Sequence, residues 1–190
     1  MIKIAISVGH HPGAKGASYS DLVEFDLAEY WVNEILDQYD DLYDYEYNCP
    51  IFHLLPVPTG TLKEKVKFIN ENEFDYAIEM HFNSAGVTAS GSETLYMPNS
   101  KRGKKLASII QKNISVPLEI RDRGVKEGMY WSTSERTNTP LYFLRRTNCP
   151  AVIIEPNFLQ SYYIDKTNEK VSDFAYAFLE SLLEVIEKDI

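Results

Sequence analysis

The chain opens with a short apolar strand that ends in a glycine and a histidine, Ile2-Lys3-Ile4-Ala5-Ile6-Ser7-Val8-Gly9-His10. After it, strand-like segments alternate with segments whose apolar residues recur every three to four positions, as in an amphipathic helix. The predicted strands are Ile2–Val8, Tyr47–Leu55, Asp75–Phe82, Glu93–Met97, Leu141–Leu144 and Ala151–Ile154. The predicted helices are Asp21–Tyr39, Thr61–Asn70, Lys101–Lys112 and Ser172–Lys188. This alternation is typical of an α/β protein with a mostly parallel sheet and helices on both faces.

Length and composition set the broad class of the protein. The 190 residues fit a single domain, residues 1–190, because a core normally splits only above about 250 residues. The net charge of −9 disfavours nucleic-acid binding, which requires basic patches. No apolar run reaches the roughly 18 residues of a membrane span, and the N-terminus lacks the features of a secretory signal. We therefore expect synthesis in the cytoplasm without membrane insertion.

Three segments carry more specific expectations. Pro50 predicts that its strand lies at a sheet edge or a bulge, since proline cannot donate to a ladder. The acidic, tyrosine-rich residues 40–47 are interpreted as a connection. Residues 117–139 have no clear period and indicate a long loop, which in compact domains is often functional. Within it, Tyr130 and Trp131 either contact a ligand or pack as a lid on their own domain.

Four polar residues occupy positions where α/β proteins bind ligands, beyond the carboxyl ends of strands. His10, His81 and Glu155 end three predicted strands, and Glu24 lies in the first turn of the helix after His10. Two imidazoles and one carboxylate leave a tetrahedral zinc with one open position, as catalytic sites require. A further carboxylate that does not bind the metal can take a proton from water, and Glu155 suits that role. The pattern indicates metal-assisted hydrolysis but does not choose a substrate.

Each of the four residues also has a structural explanation. His10 can simply finish a strand, and Glu24 fits a D-x-x-E variant of the helix capping box. His81 can be a hydrogen-bonded core histidine, although strand alternation places it on the same face as Glu79. Glu155 is the hardest to explain in this way, because an acid that closes a buried strand needs a partner.

Four blocks, in chain order, resemble the zinc-dependent N-acetylmuramoyl-L-alanine amidases of the amidase-3 type. They are Ile4-Ala5-Ile6-Ser7-Val8-Gly9-His10; Gly13-Ala14-Lys15-Gly16-Ala17 followed by Glu24-Phe25-Asp26-Leu27; Ile78-Glu79-Met80-His81-Phe82-Asn83; and Leu144 to Glu155 with Phe158-Leu159. In order, they look like the family's first histidine ligand, its ligand glutamate, its second histidine ligand with a following asparagine, and its catalytic glutamate. Together the four ordered blocks cover nearly the whole chain.

The resemblance implies a mixed sheet between helices, of the phosphorylase/hydrolase-like kind, and a single Zn²⁺ held by His10, Glu24 and His81. It further implies Glu155 as the catalytic residue and Asn83 as a supporting or substrate-binding residue. The implied substrate is peptidoglycan, cleaved at the amide between N-acetylmuramic acid and L-alanine. By the same resemblance, the chain is expected to act on the bacterial cell wall as a phage endolysin, with a bacterial autolysin as the alternative.

The sequence departs from the family pattern at two places, and two other functions remain as alternatives. His11 stands where the family commonly has glycine, and Gln160-Ser161 stands where Ser-Asn is usual, which bears on the shape of the cleft. A zinc peptidase acting on the stem peptide is the closest rival, although its short-range His-x-x-Glu pair is missing. A peptidoglycan-binding module without catalysis is a rival from another class. The sequence does not specify an oligomeric state.

Overall fold

The computed structural model describes residues 1–45, 51–130 and 139–188. Its strands are β1 (Ile2–Val8), β2 (Ser18–Tyr19), β3 (Leu22–Val23), β4 (Phe52–Pro56), β5 (Tyr76–Met80), β6 (Ser92–Tyr96), β7 (Asp122–Glu127) and β8 (Ala151–Glu155). Its α-helices are α1 (Glu24–Tyr45), α2 (Leu62–Glu71), α3 (Lys101–Leu118), α4 (Tyr142–Arg146) and α5 (Val171–Glu187). No helix in these ranges is both long and apolar enough to cross a bilayer.

Six of the strands form one mixed sheet in the order β4-β1-β5-β8-β6-β7. Strands β4, β1, β5 and β8 are parallel, β6 pairs antiparallel with β8, and β7 runs parallel to β6. The expected mostly parallel sheet is therefore confirmed, and β4 lies at an edge. Residues 47–50 of the predicted strand, which include Pro50, lie outside the described residues.

Helices cover both faces of the sheet, as predicted. Alternate residues of the central strands face opposite layers: Ile78 of β5 packs into the larger layer with α1, α3 and α5, and its neighbour Ala77 into the smaller layer with α2 and α4. Helix α2 begins at a capping box in which Thr61 and Glu64 satisfy each other's backbone amides. The cavity of the candidate site is lined by residues of α2 and α4 from the smaller layer and by residues near the carboxyl ends of β5 and β8.

Two predicted helices are longer than their apolar stripes suggested. Helix α3 continues past Lys112 because Ile114 and Leu118 extend the buried stripe of Ile110, and Pro117 is accommodated in its last turn. Helix α1 continues through most of the acidic segment assigned to a connection, since Leu42 packs against the core. It begins at Glu24 rather than Asp21, because β2 and β3 pair in the preceding residues.

Two other predictions were wrong in type. Leu141–Leu144 is not a strand but precedes and begins α4, in which the neighbours Phe143 and Leu144 are both buried. A strand would have buried alternate residues, and short apolar runs do not distinguish the two structures by period alone. The predicted loop 117–139 contains the end of α3 and the whole of β7. Residues 131–138 of that loop lie outside the described residues.

Candidate functional site

Three neighbouring parallel strands bring the predicted residues to one edge of the sheet. His10 follows β1, His81 follows β5, and Glu155 ends β8, so the central strand order places His81 between the other two. His10 adopts a left-handed backbone with φ of 64°, which turns the chain sharply out of the strand. The amide of Gly9 donates to the carbonyl of Met80 at 2.7 Å, which ties the end of β1 to the end of β5.

Glu24 lies between the two histidines. Its Oε2 is 2.9 Å from His10 Nε2, and its Oε1 is 2.9 Å from His81 Nδ1. One side-chain atom from each of the three residues lies within 4.8 Å of the others, and the two rings are 4.9 Å apart between centroids. The three residues therefore form a compact set of two imidazoles and one carboxylate.

The carboxylate of Glu24 does not cap its own helix. It is the first residue of α1, where a negative charge is favourable, but its two oxygens accept hydrogen bonds from Ala17 N at 3.0 Å and Phe82 N at 3.3 Å in addition to facing the histidines. All of these partners lie outside α1. The chain before the helix and the end of β5 thus hold this carboxylate in place.

Electrostatics favour an ionised Glu24. Burial opposes its ionisation, but hydrogen bonds from His10 and His81 outweigh burial and hold the pKa of Glu24 far below its usual value. Burial likewise disfavours a charged His81, yet hydrogen bonds to Glu24 and Glu79 raise the pKa of His81 to about 10 in the metal-free protein. The carboxylates therefore make this pocket attractive to a cation.

Glu79 and Lys65 belong to the site although sequence reasoning gave neither of them a role. Glu79 Oε2 lies 3.1 Å from His81 Nε2, and Glu79 Oε1 lies 3.1 Å from the Lys65 ammonium. Strand alternation in the sequence already places Glu79 on the same face as His81. Lys65 could also have been noticed, because it is a charged residue on the apolar stripe of α2 formed by Leu62, Val66 and Ile69.

Glu155 lines the same cavity as the two histidines but stands apart from the three-residue set. Its Oε2 accepts a hydrogen bond from Asn83 Nδ2, and a second Asn83 bond goes to Glu93 Oε1 at 3.1 Å. Burial, together with the negative charge of Glu93, raises the pKa of Glu155 to about 7. A carboxyl group with that pKa can exchange a proton near neutral pH.

A charged cluster that the sequence did not suggest contacts Asn83 through Glu93. It consists of Glu93, Arg123 and Lys126. Both cations contact Glu93 Oε2, and they lower the pKa of Glu93 although burial opposes its ionisation. The cations come from β7, inside the segment predicted as a loop. The structure thus keeps Glu93 ionised and leaves Glu155 as the carboxyl group that is easily protonated.

The site opens into a cavity of about 480 Å³. His10, His81 and Glu155 lie on its polar side, and Leu62, Leu141 and Phe143 contribute an apolar wall. Tyr130 lines the cavity as well, and its hydroxyl accepts a hydrogen bond from Tyr142 N at 3.3 Å, so it both borders the ligand space and packs on its own domain. Trp131, its predicted companion, lies outside the described residues.

Because Gly16 has no side chain, it leaves room for Glu24 and His10 of the three-residue set. Its φ is +79°, and a Cβ there would lie 2.5 Å from Glu24 Oε2 and from His10 Nε2. We expect Gly16→Ala to displace these side chains and to weaken the zinc binding predicted from the sequence about tenfold or more, the scale seen when supporting groups of metal ligands are lost. Chelator competition measures the affinity.

Gly124→Ala is the matched control for this prediction. Gly124 has a similar φ of +73°, but nothing lies within 4 Å of the position that a Cβ would take, so alanine brings backbone strain without a contact. Both variants should lose some stability, and Gly16→Ala alone should lose zinc affinity. Equal affinities for the two variants would show that the space beside Gly16 is not required.

Comparison with known proteins gives a consistent family. A family model described as N-acetylmuramoyl-L-alanine amidase matches residues 4–177. The chain is 32% identical to the uncharacterized protein YqiI of Bacillus subtilis over 101 residues, which is 52% of this chain and 44% of YqiI. It is 32% identical to an uncharacterized cell wall amidase of Bacillus anthracis over 111 residues, which is 54% of this chain and 19% of that protein. The chain thus spans less than half the length of each of these relatives.

Solved structures share the fold over nearly the full chain. An N-acetylmuramoyl-L-alanine amidase from Clostridium difficile 630 superposes with a TM-score of 0.81 at 22% identity, covering 98% of this chain and 97% of that one. The catalytic domain of CwlV from Bacillus (Paenibacillus) polymyxa gives 0.80 at 19% identity, with 98% and 99% covered. The catalytic domain of the CD27L endolysin, which targets Clostridia difficile, gives 0.70 at 22% identity, with 97% and 98% covered.

Proposed function

We propose a reaction for this chain from the fact that it belongs to the amidase-3 family of N-acetylmuramoyl-L-alanine amidases. The proposed reaction is hydrolysis of the amide between N-acetylmuramic acid and L-alanine in peptidoglycan. We further propose that it depends on one zinc ion. The observation that carries the proposal is the convergence of His10, Glu24 and His81 within 4.8 Å, in a cavity that Glu155 also lines.

The residues present fit a catalytic zinc site. Two imidazole nitrogens and one carboxylate oxygen form a three-ligand set that leaves room for water or substrate, as in known hydrolytic zinc sites. Glu24 is ionised at neutral pH, which a ligand carboxylate must be. We propose that His10, Glu24 and His81 hold the ion. When bound, zinc supplies a Lewis acid for the amide carbonyl and lowers the pKa of water to about 7.

Glu155 moves the proton in this proposal. It takes a proton from the attacking water and delivers it to the departing alanine nitrogen, as a general base and then a general acid. Burial and the neighbouring Glu93 raise the pKa of Glu155 and so favour its protonated form, which the second transfer requires. Asn83 directs its amide hydrogens to Glu155 and Glu93, so we propose that it orients the catalytic carboxylate at the place where substrate enters.

Digestion of purified peptidoglycan, read by mass spectrometry, tests the proposed reaction. Wall from Bacillus subtilis is a suitable substrate because both curated relatives are Bacillus proteins. We expect glycan strands freed of peptide and intact stem peptides with a new alanine amino group. A chelator should stop the release, and added zinc should restore it. Shortened stems would indicate a peptidase, and pelleting with wall without any release would indicate a binding module.

We propose wall lysis, as by a phage endolysin, as the role of this hydrolysis. The fold shared with the catalytic domain of the CD27L endolysin supports that role. The same preparation added from outside to intact cells should then lower their turbidity. Cleavage of isolated wall without lysis of cells would contradict the lytic role and leave the amidase reaction in place.

A further inference from the structure

The buried ion pair between Lys65 and Glu79 calls for an explanation. Each residue is only 2% exposed, and the ammonium and carboxylate are 3.1 Å apart. Taking two opposite charges out of water often costs as much as their attraction returns, and an apolar pair of similar size can serve stability equally well. Stability alone therefore does not account for the pair, whereas its contacts point to the two histidines.

Lys65 holds the backbone of the first histidine. Its ammonium donates to the carbonyl of Val8 at 2.5 Å, to the carbonyl of His10 at 2.9 Å and to Glu79 Oε1. These three contacts use all of its protons. His10 has a left-handed backbone, which is unfavourable for a residue with a side chain, so the hydrogen bond to its carbonyl helps to keep it in that conformation.

Glu79 holds the ring of the second histidine. Its Oε2 faces His81 Nε2 at 3.1 Å, while Nδ1 of the same ring faces Glu24 Oε1 at 2.9 Å. An imidazole that donates a hydrogen bond from Nε2 to a carboxylate presents the lone pair of Nδ1 to a metal. Nε2 of His81 therefore contacts Glu79, and Nδ1 is the nitrogen available to a metal.

We propose that Lys65 and Glu79 are positioning residues that preorganise the two histidines, with Glu79 orienting the His81 ring through Nε2 and Lys65 anchoring both Glu79 and the His10 backbone. The inference rests on the proposed function, since it assumes that His10 and His81 bind the zinc ion. It gives a reason for a charged pair beside the apolar cluster that α2, α4 and the sheet form.

Two double variants isolate the hydrogen bond to His81 from the burial of charge. Both Lys65→Met/Glu79→Gln and Lys65→Met/Glu79→Met remove the ion pair and keep the volume similar. Only the first keeps an oxygen that accepts from His81 Nε2. Lys67→Met is the surface control, because Lys67 lies on the same helix and pairs with Glu71 in solvent. Urea unfolding of the metal-free proteins establishes that each variant is folded.

Zinc affinity by chelator competition and the visible spectrum of the cobalt-substituted protein are the readouts. We expect Lys65→Met/Glu79→Met to bind zinc about 10–100-fold more weakly than the wild type, with altered cobalt bands. Lys65→Met/Glu79→Gln should regain at least part of the affinity and the wild-type bands, and Lys67→Met should match the wild type.

Three results would overturn the inference, and they separate it from the proposed function. Wild-type affinity in Lys65→Met/Glu79→Met would remove the positioning role while leaving the zinc site in place. Equal losses in the two double variants would show that the acceptor at residue 79 has no role in orienting His81. A wild-type protein that binds neither zinc nor cobalt would reject the zinc site itself, and the inference with it.

Discussion

Replacing Glu155 with glutamine is expected to lower the rate of peptidoglycan hydrolysis by about 10²–10⁴, the range usual for loss of a general acid–base, while zinc stays bound. The amide keeps the shape of the side chain and can still accept a hydrogen bond from Asn83, but it cannot take a proton from water. Because Glu155 lies outside the set of His10, Glu24 and His81, metal content should match the wild type.

Glu127→Gln is the matched control for this measurement, because Glu127 is an exposed glutamate at the end of another strand of the same sheet. Its rate should equal that of the wild type. Release of stem amino groups gives the rate, and metal analysis gives the zinc content. An unimpaired Glu155→Gln enzyme would remove Glu155 from the mechanism, and a variant without zinc would show that Glu155 supports the metal instead.

The same substitution has a pH-dependent effect on stability. The pKa of Glu155 is raised from 4.5 to about 7 in the folded metal-free protein, so the folded state resists its ionisation. Such a group favours folding below pH 4.5 and loses that advantage as pH rises to about 7. One pKa unit corresponds to about 1.4 kcal/mol, so the rise from 4.5 to about 7 sets an upper limit of about 3 kcal/mol on what the ionised form costs the fold above pH 7.

Urea unfolding of the metal-free proteins therefore distinguishes Glu155→Gln from the wild type by pH. Glutamine cannot ionise, so the variant should be more stable than the wild type by about 1–3 kcal/mol at pH 8, with a much smaller difference at pH 5. The proposed catalytic carboxylate would then be one whose removal stabilises the metal-free protein. A difference that does not change between pH 5 and pH 8 would contradict the raised pKa.

The sequence allowed the main features of the site to be predicted because strand ends can be recognised locally. His10, His81 and Glu155 each end an apolar strand, and parallel strands place their carboxyl ends at one edge. Glu24 was ambiguous, since its place in the first turn of a helix has two explanations. Only the three-dimensional contacts with Ala17 and Phe82 show that its carboxylate points away from the helix.

What could not be predicted depends on pairing between distant segments. The Lys65–Glu79 pair joins a helix to a strand, and nothing in either segment alone specifies the partner. Strand β7 pairs with β6 through an irregular register and is only half-buried, so it lacks the alternation that identifies a strand. The sequence therefore predicts a loop for Arg123 and Lys126 and does not connect these cations with Glu93.

The second large effect is expected for the proposed ligands themselves. His81→Ala should lower zinc affinity by more than the roughly 10–100-fold that loss of an outer partner costs, because one of the three proposed ligands is gone. Hydrolysis should fall with the zinc content. A ligand that binds only the folded protein stabilises it by an amount that grows with the logarithm of its affinity, so zinc should raise the melting temperature of the wild type and raise that of the variant much less.

His53→Ala is the control, since His53 is an exposed histidine on the edge strand β4 and pairs with Lys3 near the amino end of β1, whereas the site lies beyond the carboxyl ends. It should keep full zinc content and a normal thermal shift. In His81→Ala the carboxylates of Glu24 and Glu79 lose a shared cationic partner, so the metal-free variant should also be less stable than the wild type. That loss alone does not decide the ligand role, because a structural histidine would produce it too. The zinc-dependent shift does decide it: a His81→Ala protein with full zinc occupancy and an undiminished shift would exclude His81 as a ligand.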